Sequence, residues 1–431
     1  MSQNIQKFVA CCRGGREGLA RKSVCRIREC IALSLLTLAL LLSSSVVYAA
    51  DYLGGVELEQ LPVQSAQAVP VVSMPAGLVM TEDGRELWAR DPEARRAMAS
   101  TTKIMTAIVV LENAQLDAEV KVPNVALTVG ESAAGLLAGD VLTVRQLLEA
   151  MLVKSGNDAA IALAVHVSGN RAAFVDLMNE KAASLGLNDT HFMNPHGLDE
   201  EGHHTTAHDL AVIARYAMNI DDFRRMVAMP SVTVTSPRGQ RILEASNLLI
   251  GEYPGANGVK TGWTDDAGYC LVASAERDGI ELIAVVLGSK DENVRFTQAE
   301  RMLDWGFEHY GNLELASAEE TVGLVPVADY LDATVPAVVG ETVGAEVFDL
   351  DGPVERSVSL DPEVSAPVQV GDRIGTLTFT QGDRLLARVS LVAGLSVARP
   401  GPWERMSIAL TRAWRSVFGG VLVAEPQLLG G

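Results

Sequence analysis

The sequence predicts an α+β fold made of two folded domains and a short terminal helix. Helical and strand-like segments are grouped rather than strictly alternating, which argues against a parallel βαβ sheet. Two apolar runs, residues 269–275 and 281–287, flank Arg277-Asp278-Gly279 and read as a hairpin, so the sheet is at least partly antiparallel. Residues 320–396 lack a long helical period. They show short alternating strands with turns such as Val339-Gly340 and Gln381-Gly382-Asp383, the pattern of a small all-β sandwich.

A chain of 431 residues with 48% hydrophobic and 21% charged residues has ample material for two or three cores. Its first 49 residues are different. Lys7, Arg13, Arg16, Arg21, Lys22, Arg26 and Arg28 precede the apolar run 31–42 and then Val47-Tyr48-Ala49, the layout of a secretory signal peptide. A run of twelve residues falls short of the ~20 that span a bilayer. Removing residues 1–49 leaves 28 basic against 52 acidic residues, a net charge of −24, which argues against nucleic-acid binding. It also removes Cys11, Cys12, Cys25 and Cys30. Cys270 alone remains, so the exported part makes no intramolecular disulfide and depends on its core; a buried free thiol is the expected role of Cys270.

Residues 50–75 read as an extended lead-in. Residues 77–80 and 86–88 then flank Asp83-Gly84, a hairpin signal. This pair delivers the chain to Ala99-Ser100-Thr101-Thr102-Lys103, where a serine is followed three residues later by a lysine. On a helix that spacing puts the two side chains on one face, about 5–6 Å apart at Cβ, so an unprotonated amine can take the hydroxyl proton. At a helix start, backbone N–H groups without intrahelical partners can also receive a developing oxyanion. The pair alone is weak evidence. Two later elements change its weight: Ser155-Gly156-Asn157, in a turn between helices, and Lys260-Thr261-Gly262-Trp263. The first follows a helix opened by a capping box at Thr143 and Gln146. A further helix over residues 171–185 stops at Gly186.

S-x-x-K, S-x-N and K-T-G in this order are the signature of penicillin-recognising serine acyl-transferases. The chain resembles the low-molecular-mass penicillin-binding proteins that act as D-alanyl-D-alanine carboxypeptidases, peptidase family S11. Asn194-Pro195-His196-Gly197-Leu198-Asp199, Asp265-Asp266-Ala267-Gly268-Tyr269 and Trp305-Gly306-Phe307 carry the same likeness, which covers roughly residues 65–420. Met98 stands where relatives usually carry a proline. The resemblance implies a penicillin-binding-protein/β-lactamase-like catalytic domain, an antiparallel sheet flanked by helices, over residues 76–315. A β-sandwich domain at 320–396 and an amphipathic helix within 402–420 would follow.

It also implies site roles. Ser100 is the acyl-ester nucleophile and Lys103 the general base. Ser155 passes a proton to the leaving amine, and Asn157 holds the substrate amide. Lys260, Thr261, Gly262, Trp263 and Arg295 meet substrate, with the Ser100 and Trp263 N–H groups forming the oxyanion hole. His196 is a further candidate. The substrate implied is a peptidoglycan stem peptide ending in D-Ala-D-Ala, with β-lactams as covalent inhibitors. No cofactor and no metal is expected: five histidines lie between His191 and His208, but no H-E-x-x-H occurs.

The last helix carries Trp403, Met406, Leu410, Trp414, Val417 and Phe418 near one face, with Arg405, Arg412 and Arg415 largely elsewhere, the pattern of an interfacial helix. The expected location is therefore the periplasmic face of the inner membrane. Packing of this helix against the β-domain is the alternative. A β-lactamase would need a water-activating glutamate in an E-x-x-x-N context, which the corresponding loop lacks. A D,D-endopeptidase and a non-enzymatic cell-shape scaffold remain as alternatives to the carboxypeptidase.

Overall fold

The computed structural model describes residues 57–61, 69–236, 239–419 and 424–429. The proposed signal peptide lies outside these residues. Within the extended lead-in, Glu57–Leu61 is a strand, β1. The hairpin β2 (Ala76–Thr81) and β3 (Glu86–Arg90) leads into a 3-10 turn, Ala99–Thr102, and helix α1 (Lys103–Asn113). A short pair, β4 (Glu119–Lys121) and β5 (Val141–Thr143), precedes three helices: α2 (Val144–Val153), α3 (Asn157–Ser168) and α4 (Arg171–Ser184). The Thr143/Gln146 capping box opens α2, as its sequence implies, with Gln146 N donating to Thr143 Oγ1 at 3.2 Å.

Helices α5 (Ala207–Met218) and α6 (Asp221–Val227) follow, then the hairpin β6 (Ser231–Ser236) and β7 (Gly239–Glu244). The last strands of the main sheet are β8 (Ala256–Thr264), β9 (Gly268–Arg277) and β10 (Ile280–Ser289), backed by α7 (Glu292–His309). The sheet has the order β3-β2-β10-β9-β8 and every pairing is antiparallel.

Alternation along β9 explains why its sequence is an unbroken apolar run. Leu271, Ala273 and Ala275 meet Phe296, Ala299 and Met302 of α7 on one face. Cys270 and Val272 join Ile104 and Ile108 of α1 on the other. With helices on both faces, every second residue is as buried as its neighbour. Cys270 is a buried free thiol, and burial pushes its pKa up to about 11. It is an inert core residue.

The sequence reading carries the catalytic domain to residue 315, but the handover comes at Tyr310. There β11 (Tyr310–Ala316) starts and pairs with β14 (Val343–Phe348) of the following all-β part. The strands β12 (Thr321–Pro326), β13 (Thr334–Val339), β15 (Val354–Leu360), β16 (Arg373–Gln381) and β17 (Arg384–Ala393) complete it. Its seven-stranded sheet runs β1-β15-β16-β17-β13-β12-β18, so the lead-in strand β1 is recruited to this edge. Polar bonds tie it to the catalytic domain: His309 Nδ1 lies 2.8 Å from Asp349, and Arg85 pairs with Asp351.

Helix α8 (Pro402–Phe418) follows, and β18 (Gln427–Leu428) then pairs with β12. Arg412 donates to the carbonyls of Ala328 and Tyr330, and Arg415 Nη1 lies 3.4 Å from Asp332. Two of the three arginines that lie off the apolar face are thus turned to the β-domain, together with buried Ile408. The apolar residues of the opposite face stay exposed, from 49% for Met406 to 80% for Trp403.

Candidate active site

Ser100 sits on the 3-10 turn whose end is the start of α1, and Lys103 is the first residue of that helix. Their local spacing delivers the expected contact: Lys103 Nζ is 2.7 Å from Ser100 Oγ. The amine also lies 2.7 Å from Asn157 Oδ1 and 2.7 Å from the His196 carbonyl oxygen. Both of these oxygens can only accept. A neutral amine has two N–H bonds and one lone pair, so the carbonyls take the hydrogens and the lone pair is left facing the serine hydroxyl.

Electrostatics favour that neutral form. Lys103 is fully buried, and burial, then the positive charge of Lys260, hold its pKa well below the ordinary lysine value, against a weaker opposite pull from Asp158 and Glu131. Lys260 is also buried, and burial together with Arg295 brings its pKa down to about 7. The two lysines therefore occupy different protonation states near neutrality, Lys103 as base and Lys260 as a partly populated cation.

Asn157 opens α3 and donates from Nδ2 to the Gly130 carbonyl at 3.0 Å. Its Oδ1 faces Lys103 and one Nδ2 hydrogen is used, which leaves the second Nδ2 hydrogen available to a substrate carbonyl. Ser155 reaches the same turn in a left-handed conformation, φ +68°. Lys260, Thr261, Gly262 and Trp263 lie on β8, the edge strand, whose outward N–H and C=O groups have no sheet partner. Gly262 passes close to the nucleophile: a Cβ there would be 2.8 Å from the Ser100 nitrogen. That approach sets the backbone of β8 directly against the Ser100 turn. Trp263 is 46% exposed, and Thr261 shares a 2.9 Å hydrogen bond with Ser246.

Arg295 lies behind this strand. It donates to the Gly262 carbonyl at 3.1 Å, pairs with Glu292 at 3.1 Å and stacks over Tyr269 and Phe296. Its guanidinium is committed to holding β8 and to depressing the Lys260 pKa. His196 contributes its carbonyl, not its ring. The imidazole is buried, its Nδ1 accepts from Leu198 N–H at 3.2 Å, and burial with the nearby Lys103 lowers its pKa to about 3. Of the other histidines in this stretch, His191 and His204 stack on each other at 6.3 Å. Among the described residues no group of three or more His, Cys, Asp or Glu side chains could hold a metal ion.

Three contributors escape motif reading. Asp158 accepts from Ala134 and Leu136 N–H at 2.9 Å each and so fixes the loop that offers the Gly130 carbonyl. Gly197, at φ +93°, lies so close that a Cβ would be 2.0 Å from Ala99 O. Asp199 accepts from Thr264 Oγ1 at 2.6 Å and braces the end of β8. Asp158 adjoins the S-x-N triplet, and the other two lie in the 194–199 stretch that resembles the family, so position was the available signal.

Comparison with known proteins agrees with this geometry. The D-alanyl-D-alanine carboxypeptidase family matches residues 63–291, and the penicillin-binding protein 5 C-terminal domain matches residues 310–399. D-alanyl-D-alanine carboxypeptidase DacF of Bacillus subtilis is 32% identical over 338 residues, 76% of this chain and 86% of that protein. DacD of Salmonella typhimurium is 31% identical over 380 residues, 80% and 93% of the two chains. The crystal structure of DacD from Francisella tularensis aligns with a TM-score of 0.58 at 28% identity, covering 82% of this chain and all of that one. The chain belongs to the D-alanyl-D-alanine carboxypeptidase family, the S11 serine peptidases.

Proposed function

We propose that this chain is a periplasmic carboxypeptidase that removes the terminal D-alanine from peptidoglycan stem pentapeptides, and that β-lactams acylate the same serine. The observation that carries the reading is the buried Lys103 Nζ, 2.7 Å from Ser100 Oγ. Ser100 Oγ attacks the carbonyl carbon of the penultimate D-alanine while its proton passes to Lys103 Nζ. The oxyanion is held by the Ser100 and Trp263 N–H groups. Collapse breaks the C–N bond, and the leaving amine takes the proton held by Lys103 through Ser155, which returns Lys103 to its neutral form. Water then attacks the acyl-ester with Lys103 again as base, releasing the shortened peptide. Lys260 and Thr261 receive the terminal carboxylate, or the carboxylate of a β-lactam. No cofactor enters these steps.

The test is D-alanine release by the purified chain from a pentapeptide ending in D-Ala-D-Ala, beside Ser100→Ala. Release that vanishes in the variant supports the reading. Penicillin labelling of Ser100 without release would redirect it to cross-linked substrates, the endopeptidase alternative, or to a scaffold role.

The two ends of the chain support the proposed location. The basic and apolar start supports export, and the exposed apolar face of α8 supports attachment to the membrane surface. Among the described residues no helix is long and apolar enough to cross a membrane. The proposed contact is therefore superficial, with the apolar side chains entering the headgroup boundary. Replacing Trp403, Leu410, Trp414 and Phe418 together by serine should lower vesicle affinity by 100-fold or more, on the order of 1 kcal/mol per side chain after a heavy discount. Sedimentation with anionic vesicles measures this, and turnover in solution should be unchanged. Equal sedimentation of the variant would remove the anchor from the proposal.

A further inference from the structure

The stretch from His191 to Thr206 does more than lend the His196 carbonyl. It closes over the back of the nucleophile turn, where Arg96 and Thr205 exchange two backbone hydrogen bonds of 2.8 and 2.9 Å. Buried in this closure is His203, its ring edge-on to Phe192 with centroids 6.0 Å apart. Its Nδ1 accepts the Met193 N–H at 3.0 Å. A neutral imidazole bonded in that way carries its proton on Nε2. Nε2 lies 2.8 Å from Thr102 Oγ1. With the ring proton donated to it, the Thr102 hydroxyl directs its own proton to the Ala99 carbonyl, 2.8 Å away. The relay thus has one direction, from Met193 N–H through His203 and Thr102 to Ala99 O.

Its end point matters because Ala99 C=O and Ser100 N–H belong to one peptide unit. That unit is planar and trans, so its carbonyl and its N–H point in opposite directions. Whatever holds the Ala99 oxygen therefore aims the Ser100 N–H. Such a hold is needed: Ala99 has φ +51°, a left-handed conformation for a residue with a side chain, and the peptide would otherwise relax. Gly197 packs against the same oxygen.

We propose that His203 is a positioning residue which, through Thr102 Oγ1 and the Ala99 carbonyl, aims the Ser100 N–H at the oxyanion of the tetrahedral intermediate. The inference rests on the reading of Ser100 as nucleophile and of its N–H as an oxyanion donor. The ring stays neutral in this setting: Asp199 pulls toward protonation, but burial and the neighbouring His191 and His204 outweigh it and lower the pKa to about 4.

Three substitutions test it by their hydrogen-bond geometry. His203→Asn keeps a polar atom near Nδ1 but cannot reach Thr102. His203→Gln carries an amide donor to the position of Nε2. Thr102→Val removes the hydroxyl and leaves the ring in place. D-alanine release should show kcat reduced about tenfold to a hundredfold in His203→Asn and Thr102→Val, with KM within about twofold of wild type. His203→Gln should recover to within about threefold, and the His203→Asn/Thr102→Val double variant should be no worse than the poorer single variant. Full kcat in His203→Asn, equal loss in His203→Gln, or multiplied losses in the double variant would each overturn the proposal. Melting temperatures identify any variant that fails to fold, and Thr102→Val then carries the test. Failure of the underlying reading is seen separately, as penicillin labelling or turnover that survives Ser100→Ala.

Discussion

Lys103→Met lowers kcat/KM for D-alanine release by about 10³-fold and leaves the melting temperature unchanged or raised. Methionine fills nearly the same volume and fits an apolar pocket, so packing around α1 is retained. What is lost is the lone pair beside Ser100 Oγ and the hydrogen bonds to Asn157 Oδ1 and the His196 carbonyl, a cost that the following gain offsets. What is gained is relief from burying an ionisable amine next to a second lysine. The sign of the pH dependence follows from the depressed pKa. Below the folded-state pKa the amine must be charged in the core and the stability penalty is fully present. As pH rises from that value toward the unfolded value near ~10.4, the penalty disappears, so stability rises across that window. The variant loses this contribution.

Activity has a matching profile. It rises as Lys103 loses its proton. In kcat/KM it falls again as Lys260 loses its charge, near its pKa of about 7. A bound carboxylate stabilises the Lys260 cation, so the alkaline limb of kcat should lie at higher pH than that of kcat/KM. Activity retained within tenfold in Lys103→Met would assign the base elsewhere.

Gly197→Ala abolishes acylation by penicillin on the time scale of the wild-type reaction and lowers stability by about 2–5 kcal/mol. Two independent causes add. The position has φ +93°, which an alanine adopts only under strain, and its Cβ would fall 2.0 Å from Ala99 O. The second is the decisive one, because the obstructing atom is backbone and belongs to the peptide that presents the Ser100 N–H. Gly169→Ala separates the two causes. It has φ +81° with nothing within 4 Å of the added atom, so it should cost only about 1 kcal/mol and leave acylation intact. Thermal unfolding and fluorescent-penicillin labelling read both variants. Wild-type acylation in Gly197→Ala would show that the turn can shift without losing its chemistry.

How much of this was legible beforehand depends on the range of each interaction. Ser100 and Lys103 meet because one helical turn joins them, so their spacing contained their contact. The hairpin of β9 and β10, the Thr143 cap and the amphipathic α8 are local in the same sense, and the residues themselves announced them. The role of His196 was not legible in its imidazole. The atom that matters is a carbonyl oxygen, which every residue has. For Arg295 the resemblance implies a part in orienting a substrate carboxylate, a role that its motif neighbours alone do not show. The structure gives its donors to the Gly262 carbonyl and Glu292. Arg412 and Arg415 lie off the apolar face in the sequence pattern, but only the structure shows that nearby carbonyls and Asp332 on the β-domain claim them.

The sequence by itself determined the chemistry available: a serine with a lysine one turn away, a second lysine on a strand, and the order of the three motifs that reveals the family. Tertiary structure alone decided the protonation states and the close approaches. Both lysines owe their lowered pKa to burial in a core assembled from distant segments. Gly197 and Gly262 owe their necessity to backbones that meet only after folding. Burial and contact between segments far apart in the chain are properties of the packed molecule, and no local pattern of residues encodes them.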